Sequence, residues 1–245
     1  MIVVAFPFTR PLPASLALMM IESVRRCVSG PLRVVQMTDT LTPLVPGADE
    51  VRRLPKADFI EWRLKHMIYL SHVWHNYSDV VMTKVFKIIW LDYDVIVQRD
   101  LREIFSMMDA APCDVMLTRR DAREKTVSDA LLADCPHNMG VAWSLGSGRA
   151  LWIRALEIYR TFKNPDGWLD GQRAIEKAIA STPSVTVRSL PCHDYNYTPQ
   201  APGEDCSDKW AVHYKGERKR WLVGADAIRA ERLVTDATAR VRARS

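Results

Sequence analysis

The sequence predicts an α/β fold: a single globular domain whose sheet is covered by helices on both faces. Short β-branched runs without polar alternation recur along the chain, as strands buried on both sides do. Stretches with helical spacing of apolar residues separate them, and that alternation marks an α/β layer. One of these runs, Lys87 to Val97, is apolar on either side of two carboxylates, Asp92 and Asp94.

Taken in order, Ile2 to Phe6 reads as a buried strand, and Pro11 and Pro13 break the chain after it. Ala14 to Ser29 reads as a helix closed by Gly30 and Pro31. Leu32 to Met37 is a second strand that ends at Thr38 and Asp39, and Val51 to Leu54 a short third. Asp58 to Trp74 has helical spacing of Phe59, Trp62, Leu64, Met67, Ile68 and Leu70. Val85 to Leu91 is the strand that delivers Asp92 and Asp94. Leu101 to Asp109 is a short helix, and Asp114 to Thr118 and Gly140 to Leu145 are strands. Ser147 to Phe162 is a helix with Ser147 placed as N-cap. Gly171 to Ala180 is a further helix, Val185 to Leu190 and Ala211 to Tyr214 are late strands, and Ala225 to Arg244 is a terminal helix with a basic face.

Composition narrows the class. At 245 residues the chain can bury a full core as one domain. Its net charge of +5 favours a partner rich in phosphate or carboxylate, although part of that charge sits in the terminal segment. The five cysteines (Cys27, Cys113, Cys135, Cys192 and Cys206) form no CxxC pair and read as buried thiols of a reducing compartment. The apolar stretch Leu16 to Ile21 is short and followed by charges, which fits a core helix rather than a leader or a membrane span. A cytoplasmic protein is the expectation.

The chemistry concentrates at Asp92 and Asp94. In an open α/β sheet, ligands sit beyond the carboxyl ends of strands. Spaced i, i+2 in extended geometry, both side chains point the same way and can approach one hard cation. Unpaired buried carboxylates cost several kcal/mol, so some positive group must meet them. Pairing with Arg99 or Arg102 is the structural alternative. His66, His72 and His75 cluster in sequence but lack a partner ligand in pattern.

Further stretches complete a pattern. The segment Ile89 to Phe105 resembles the "LDxDhhhxxDLxxLF" signature of GT-A fold glycosyltransferases, family 8 above all. Asn138, Met139, Gly140 and Val141 resemble that family's Asn-Ser/Thr-Gly-Val, and Trp168 to Gln172 its Asp-Gln step, with Gly171 interposed. Pro191 to Asn196 resembles its L-x-x-x-Tyr/Trp-Asn. His213 to Trp221 resembles its His-Phe/Tyr-x-Gly-x-x-Lys-Pro-Trp, with Arg220 in place of proline. The resemblance runs from the first strand to about Trp221, and its first and last motifs are the specific ones.

That resemblance implies a GT-A fold, a mixed and mostly parallel sheet, over residues 1–224, followed by a basic tail over 225–245. It implies transfer of a sugar from a nucleotide diphosphate donor, most simply a UDP-sugar, with retained anomeric configuration. Asp92, Asp94 and His213 would hold Mn²⁺ or Mg²⁺, and imidazole among the ligands leans toward Mn²⁺. Lys219 and the backbone at Gly216 would meet the diphosphate. Phe6, Thr9, Arg63, Tyr93 and Asn138 would border the donor, and Asp170 and Gln172 would stand at the reacting sugar. The acceptor is open between a saccharide, a lipid-linked glycan, a protein and a modified nucleic acid. Arg229, Arg232, Arg240, Arg242 and Arg244 could dock an anionic surface. Two rivals are a haloacid-dehalogenase-like phosphotransferase, whose D-x-D lies near the N-terminus and is followed by threonine, and a basic nucleic-acid-binding protein without catalysis. Trp168 and Trp221 are the tryptophans placed for a sugar ring.

Overall fold

The computed structural model describes residues 1–8, 12–53, 86–120, 128–162 and 169–223. Within them the strands are β1 (Ile2–Pro7), β2 (Leu32–Thr38), β3 (Glu50–Arg53), β4 (Lys87–Leu91), β5 (Val95–Val97), β6 (Val115–Arg119), β7 (His137–Leu145), β8 (Val187–Pro191) and β9 (Ala211–His213). The α-helices are α1 (Ala14–Cys27), α2 (Glu103–Ala110), α3 (Asp129–Asp134), α4 (Arg149–Arg160), α5 (Asp170–Ser181), α6 (Cys192–Tyr195) and α7 (Arg220–Val223). The helix expected over Asp58 to Trp74, the three histidines near it, Thr9, Arg63, Trp168 and the basic terminal helix lie outside the described residues.

Seven strands form one sheet in the order β3-β2-β1-β4-β7-β6-β8. All neighbours are parallel except β7, which runs antiparallel to both β4 and β6. This is the mixed, mostly parallel sheet that the sequence predicts. Strand periodicity sorts side chains onto its two faces. Val4, Phe6, Ile89 and Leu91 join the α1 residues Leu16, Met20 and Ile21 and the α2 residues Ile104, Phe105 and Met108 on one side. Val3, Ala5, Ile88, Trp90 and Leu117 join Trp152 and Ala155 of α4 and Ala174 and Ile175 of α5 on the other. That two-sided burial explains the unbroken apolar runs in β1 and β4. Among the described residues, no helix is long and apolar enough to cross a membrane. All five cysteines are free thiols, and four are buried.

Two local expectations are corrected. Ser147 does not cap a helix: Gly146–Gly148 form a 3-10 turn, and α4 starts at Arg149 without a side-chain cap. A capping residue needs extended backbone, whereas Ser147 sits inside the turn. β7 begins at His137, earlier than its apolar stretch indicates, because Asn138 of this strand turns its amide toward buried polar partners rather than into an apolar layer.

The antiparallel run of β7 matters for function. It brings the start of β7 to the same edge as the carboxyl ends of β4 and β6. There the β6–β7 register slips: Leu117 faces Ala142, but Thr118 faces Asn138. Met139, Gly140 and Val141 therefore bulge away from β6. Bulges of this kind end pairing and re-aim backbone beside active sites.

Candidate functional site

Asp92 follows β4 directly, and its backbone N–H donates to the bulged Gly140 carbonyl at 2.8 Å. The chain then turns, with Val95 N–H donating to Asp92 O at 3.2 Å. The two carboxylates thus converge through a turn around Tyr93, not through the extended i, i+2 geometry that their spacing predicts. β5 leaves this turn and pairs antiparallel with β9, with Val95 opposite His213. Tyr214 N–H donates to Asp94 O at 3.0 Å, and His213 N–H to Tyr197 O at 2.7 Å. This two-stranded ribbon carries the downstream imidazole onto the acidic turn.

His213 Nε2 lies 3.1 Å from Asp94 Oδ1 and 3.4 Å from Asp92 Oδ2. One ligand atom from each of the three residues falls within 4.8 Å of the others. Asp94 is 3 % exposed, and its Oδ1 accepts no hydrogen bond although it faces Nε2. Two carboxylate oxygens and an imidazole nitrogen, one of the oxygens buried without a donor, suit a divalent ion with oxygen and nitrogen preferences. Arg99 and Arg102 do not take these carboxylates. The first lies against the Trp210 ring, and the second binds the Ser29 carbonyl and hydroxyl.

Lys219 supplies a second cation. Its Nζ lies 2.9 Å from Asp94 Oδ2 and 4.8 Å from the centre of the Tyr93 ring. It is presented by a 3-10 turn, Gly216–Lys219, that starts at Gly216 with φ +58°, a left-handed conformation glycine adopts without strain. Burial alone would raise the Asp94 carboxyl, but His213 and Lys219 outweigh it and hold it far below the usual range. Burial alone would lower Lys219, and Asp94 with Tyr93 outweighs that, so its ammonium stays charged well past the ordinary value. Burial first, and Asp94 next, push the Tyr93 phenol up to about 12, so it is neutral at physiological pH. Phe8, just beyond β1, meets the Tyr93 ring edge-on at 6.0 Å and ties the end of β1 to the acidic turn.

Behind His213 lies a buried polar group. His213 Nδ1 is 3.0 Å from Asn196 Oδ1, and Asn196 Nδ2 donates to Asn138 Oδ1 at 3.1 Å and to Thr118 Oγ1 at 2.8 Å. Gly140 packs against the ring so tightly that a Cβ there would lie 2.2 Å from His213 Cε1.

The structure therefore brings together Asp92, Tyr93, Asp94, His213, Gly216 and Lys219, with Asn138 joined to them through Asn196. Phe6 is fully buried in β1, so only its backbone can face a ligand. Asp170 and Gln172 open α5 at the same sheet edge but belong to a neighbouring group. Asp170 Oδ1 pairs with Arg173 at 3.0 Å, and Gln172 Oε1 accepts from Arg120. The buried Arg120 also donates to the carbonyls of Cys135 and His137. No motif or spacing marks Arg120 in the chain. Asn196 lies inside one of the recognised motifs, where only its spacing marked it.

The strand order with its single antiparallel member, the acidic turn after β4 and the returning histidine ribbon define a GT-A fold, and comparison with solved structures agrees. The chain superposes on a glycosyltransferase involved in glycosylation of the major capsid of PBCV-1, with a TM-score of 0.54, 14% identity, and coverage of 95% of this chain and 98% of that one. It superposes on the galactosyltransferase LgtC in complex with donor and acceptor sugar analogues, with a TM-score of 0.54, 14% identity and 95% and 96% coverage. Mouse xyloside xylosyltransferase 1 matches at 0.51 and 12% identity, over 88% of this chain and 98% of that chain. No family model and no curated protein matches by sequence. At these identities the likeness speaks for the fold.

Proposed function

We propose that this chain is a metal-dependent glycosyltransferase that moves a sugar from a nucleotide diphosphate donor, most simply a UDP-sugar, to an acceptor with retention of configuration. The observation that carries the reading is the convergence of Asp92, Asp94 and His213, with Lys219 beside them, at the carboxyl edge of a GT-A sheet. Asp92, Asp94 and His213 would hold Mn²⁺, or Mg²⁺ in its place. When bound, the ion supplies a Lewis acid at the departing diphosphate. Lys219 places a fixed positive charge at the same leaving group, where such charges act most strongly in a partly dry site. The left-handed turn at Gly216 lets backbone approach phosphate without a side chain intervening. The neutral Tyr93 face and the end of β1 at Phe6 border the nucleoside, and the family resemblance assigns Thr9 and Arg63 to the donor as well. Asn138 lines the sugar side. Asp170 and Gln172 meet the reacting sugar, where amide and carboxylate groups satisfy hydroxyls.

The acceptor is a saccharide, a lipid-linked glycan, a protein or a modified nucleic acid. We assign the transferase domain to residues 1–224 and give the basic tail, residues 225–245, a contact with an anionic surface. The protein would work in the cytoplasm, at or near a membrane.

A panel of UDP-, GDP- and other activated sugars, each with Mn²⁺, Mg²⁺ or chelator, tests the proposal. One nucleotide class is expected to raise the melting temperature only with metal, and to be hydrolysed slowly without an acceptor. Absence of any metal-dependent donor effect, or release of phosphate from simple phosphomonoesters instead, would sink it.

A further inference from the structure

We infer that Asn196 is a positioning residue: it fixes a proton on His213 Nδ1 and so presents the Nε2 lone pair to the ion that Asp92 and Asp94 share. The inference rests on the proposed metal site but concerns a residue outside the ligand set.

A backbone N–H is a donor whose identity is never ambiguous. The backbone N–H of Gly140 donates to the Asn138 side chain at 2.9 Å, so that end of the Asn138 amide is its oxygen. Asn196 approaches the same oxygen at 3.1 Å, and two oxygens cannot share a hydrogen bond without a proton. The Asn196 atom there must be its NH₂. A second constraint reaches the same assignment independently. The Thr118 hydroxyl lies 2.8 Å from the Asn138 carbonyl oxygen and 3.3 Å from that of Val141, so its one proton is spent on backbone carbonyls. It can then only accept from Asn196, 2.8 Å away, which again requires NH₂ at that end.

The other end of the Asn196 amide is therefore its oxygen, and it stands 3.0 Å from His213 Nδ1. A carbonyl oxygen only accepts, so Nδ1 carries hydrogen. In the neutral imidazole that binds an ion, that single N–H leaves the lone pair on Nε2, the nitrogen on the side of Asp92 and Asp94. Asn196 and Thr118 are fully buried, and Asn138 and His213 are nearly so. Water is not at hand to replace a lost partner, and flipping the amide would break two hydrogen bonds at once. Hydrogen bonds to the far nitrogen of a metal-binding histidine orient the ring and raise its basicity, and losing one commonly costs roughly 10–100-fold in metal affinity.

The bulge in β7 is what makes the relay possible. It turns the Gly140 N–H back onto the Asn138 side chain and clears the space that the imidazole fills.

Two measurements on the full chain test the inference. Nitrogen-15 NMR of the metal-free and Mg²⁺-treated wild type reads the His213 ring directly: Nδ1 should carry a proton in both. A non-protonated Nδ1 overturns the proposal, and this needs no variant. Mn²⁺ titration followed by electron paramagnetic resonance then compares wild type, Asn196→Leu and His213→Ala, with melting temperature recorded for each. Asn196→Leu should weaken Mn²⁺ about 10–100-fold and broaden or lose the Nδ1–H signal, while His213→Ala loses the site. Wild-type Mn²⁺ affinity in a folded Asn196→Leu alongside loss in His213→Ala overturns this inference alone. Undiminished affinity in His213→Ala overturns the metal site beneath it.

Discussion

Asp94→Asn is expected to abolish metal-dependent donor binding and to lower transfer by at least about 10²–10³-fold, the usual cost of removing a preorganised electrostatic contact at a developing charge. Asp94 meets two groups at once. Its Oδ1 faces His213 Nε2, and its Oδ2 holds Lys219. The amide keeps the shape but removes the charge, so a bound ion loses a buried anionic ligand and Lys219 loses its counter-charge. Stability should fall by about 1–3 kcal/mol, the cost of weakening a buried charged hydrogen bond without emptying the site. Asp94→Ala, which strips the partner away entirely, should cost about 3–5 kcal/mol.

The pH dependence has a definite sign. The Asp94 carboxyl is held below its ordinary value of 3.8, so its contribution to stability is present above that pH and is lost as pH falls through the depressed range. The Lys219 ammonium is held above its ordinary 10.5, so its contribution is complete below that pH and is lost only as pH rises beyond it. The ion pair is thus intact across neutral pH. Asp94→Asn should flatten the acid limb of a thermal-stability profile relative to wild type. A variant with unchanged donor binding and an unchanged acid limb would show that Asp94 has no such place in the site.

Gly140→Ala should have the next largest effect, although glycine never touches substrate. A methyl group at this position would meet the imidazole at 2.2–2.3 Å, far inside contact distance. The ring is tied at Nδ1 to Asn196, beside the point of collision, and its backbone N–H is tied to Tyr197, so moving away breaks the Asn196 contact. Overpacking of this kind costs about 1–3 kcal/mol. The larger consequence is displacement of Nε2 from Asp92 and Asp94, so Mn²⁺ affinity should drop by more than the melting temperature alone would lead one to expect. Gly216→Ala is the contrasting control. No atom lies within 4 Å of the added methyl, but the backbone is left-handed at φ +58°. That substitution should strain the turn by about 1–2 kcal/mol and leave Mn²⁺ binding by the Asp92, Asp94 and His213 group in place. Calorimetric titration of both variants with Mn²⁺ separates the two effects. Equal metal affinity in Gly140→Ala and wild type would show that the tight packing against His213 is not needed.

Parts of this architecture are legible in the chain and parts are not, for physical reasons. β1 and β4 announce themselves because burial on both faces demands unbroken apolar runs. Asp92 and Asp94 stand out because charges at the end of such a run need a cation. His213 is visible through its position after a short apolar strand and before Gly216 and Lys219. What the sequence hides is register. The slip between Leu117 and Thr118, which bulges Met139 to Val141 and opens space for the imidazole, depends on pairing between strands and leaves no periodic trace. The turn at Tyr93 hides for the same reason, since an i, i+2 pattern reads equally well as extended chain. Asn196 looks like any asparagine until Gly140, Asn138 and Thr118 fix which way its amide faces. Arg120 and its contact with Gln172 arise where the end of β6 meets the start of α5, segments far apart in the chain.

Anomalous diffraction from crystals grown with Mn²⁺ and UDP decides whether this chain gathers a metal at the end of β4. One manganese peak is expected among Asp92, Asp94 and His213, with Lys219 near the diphosphate. A manganese peak at another location, with the imidazole and the two carboxylates contacting only each other, would rule the metal site out.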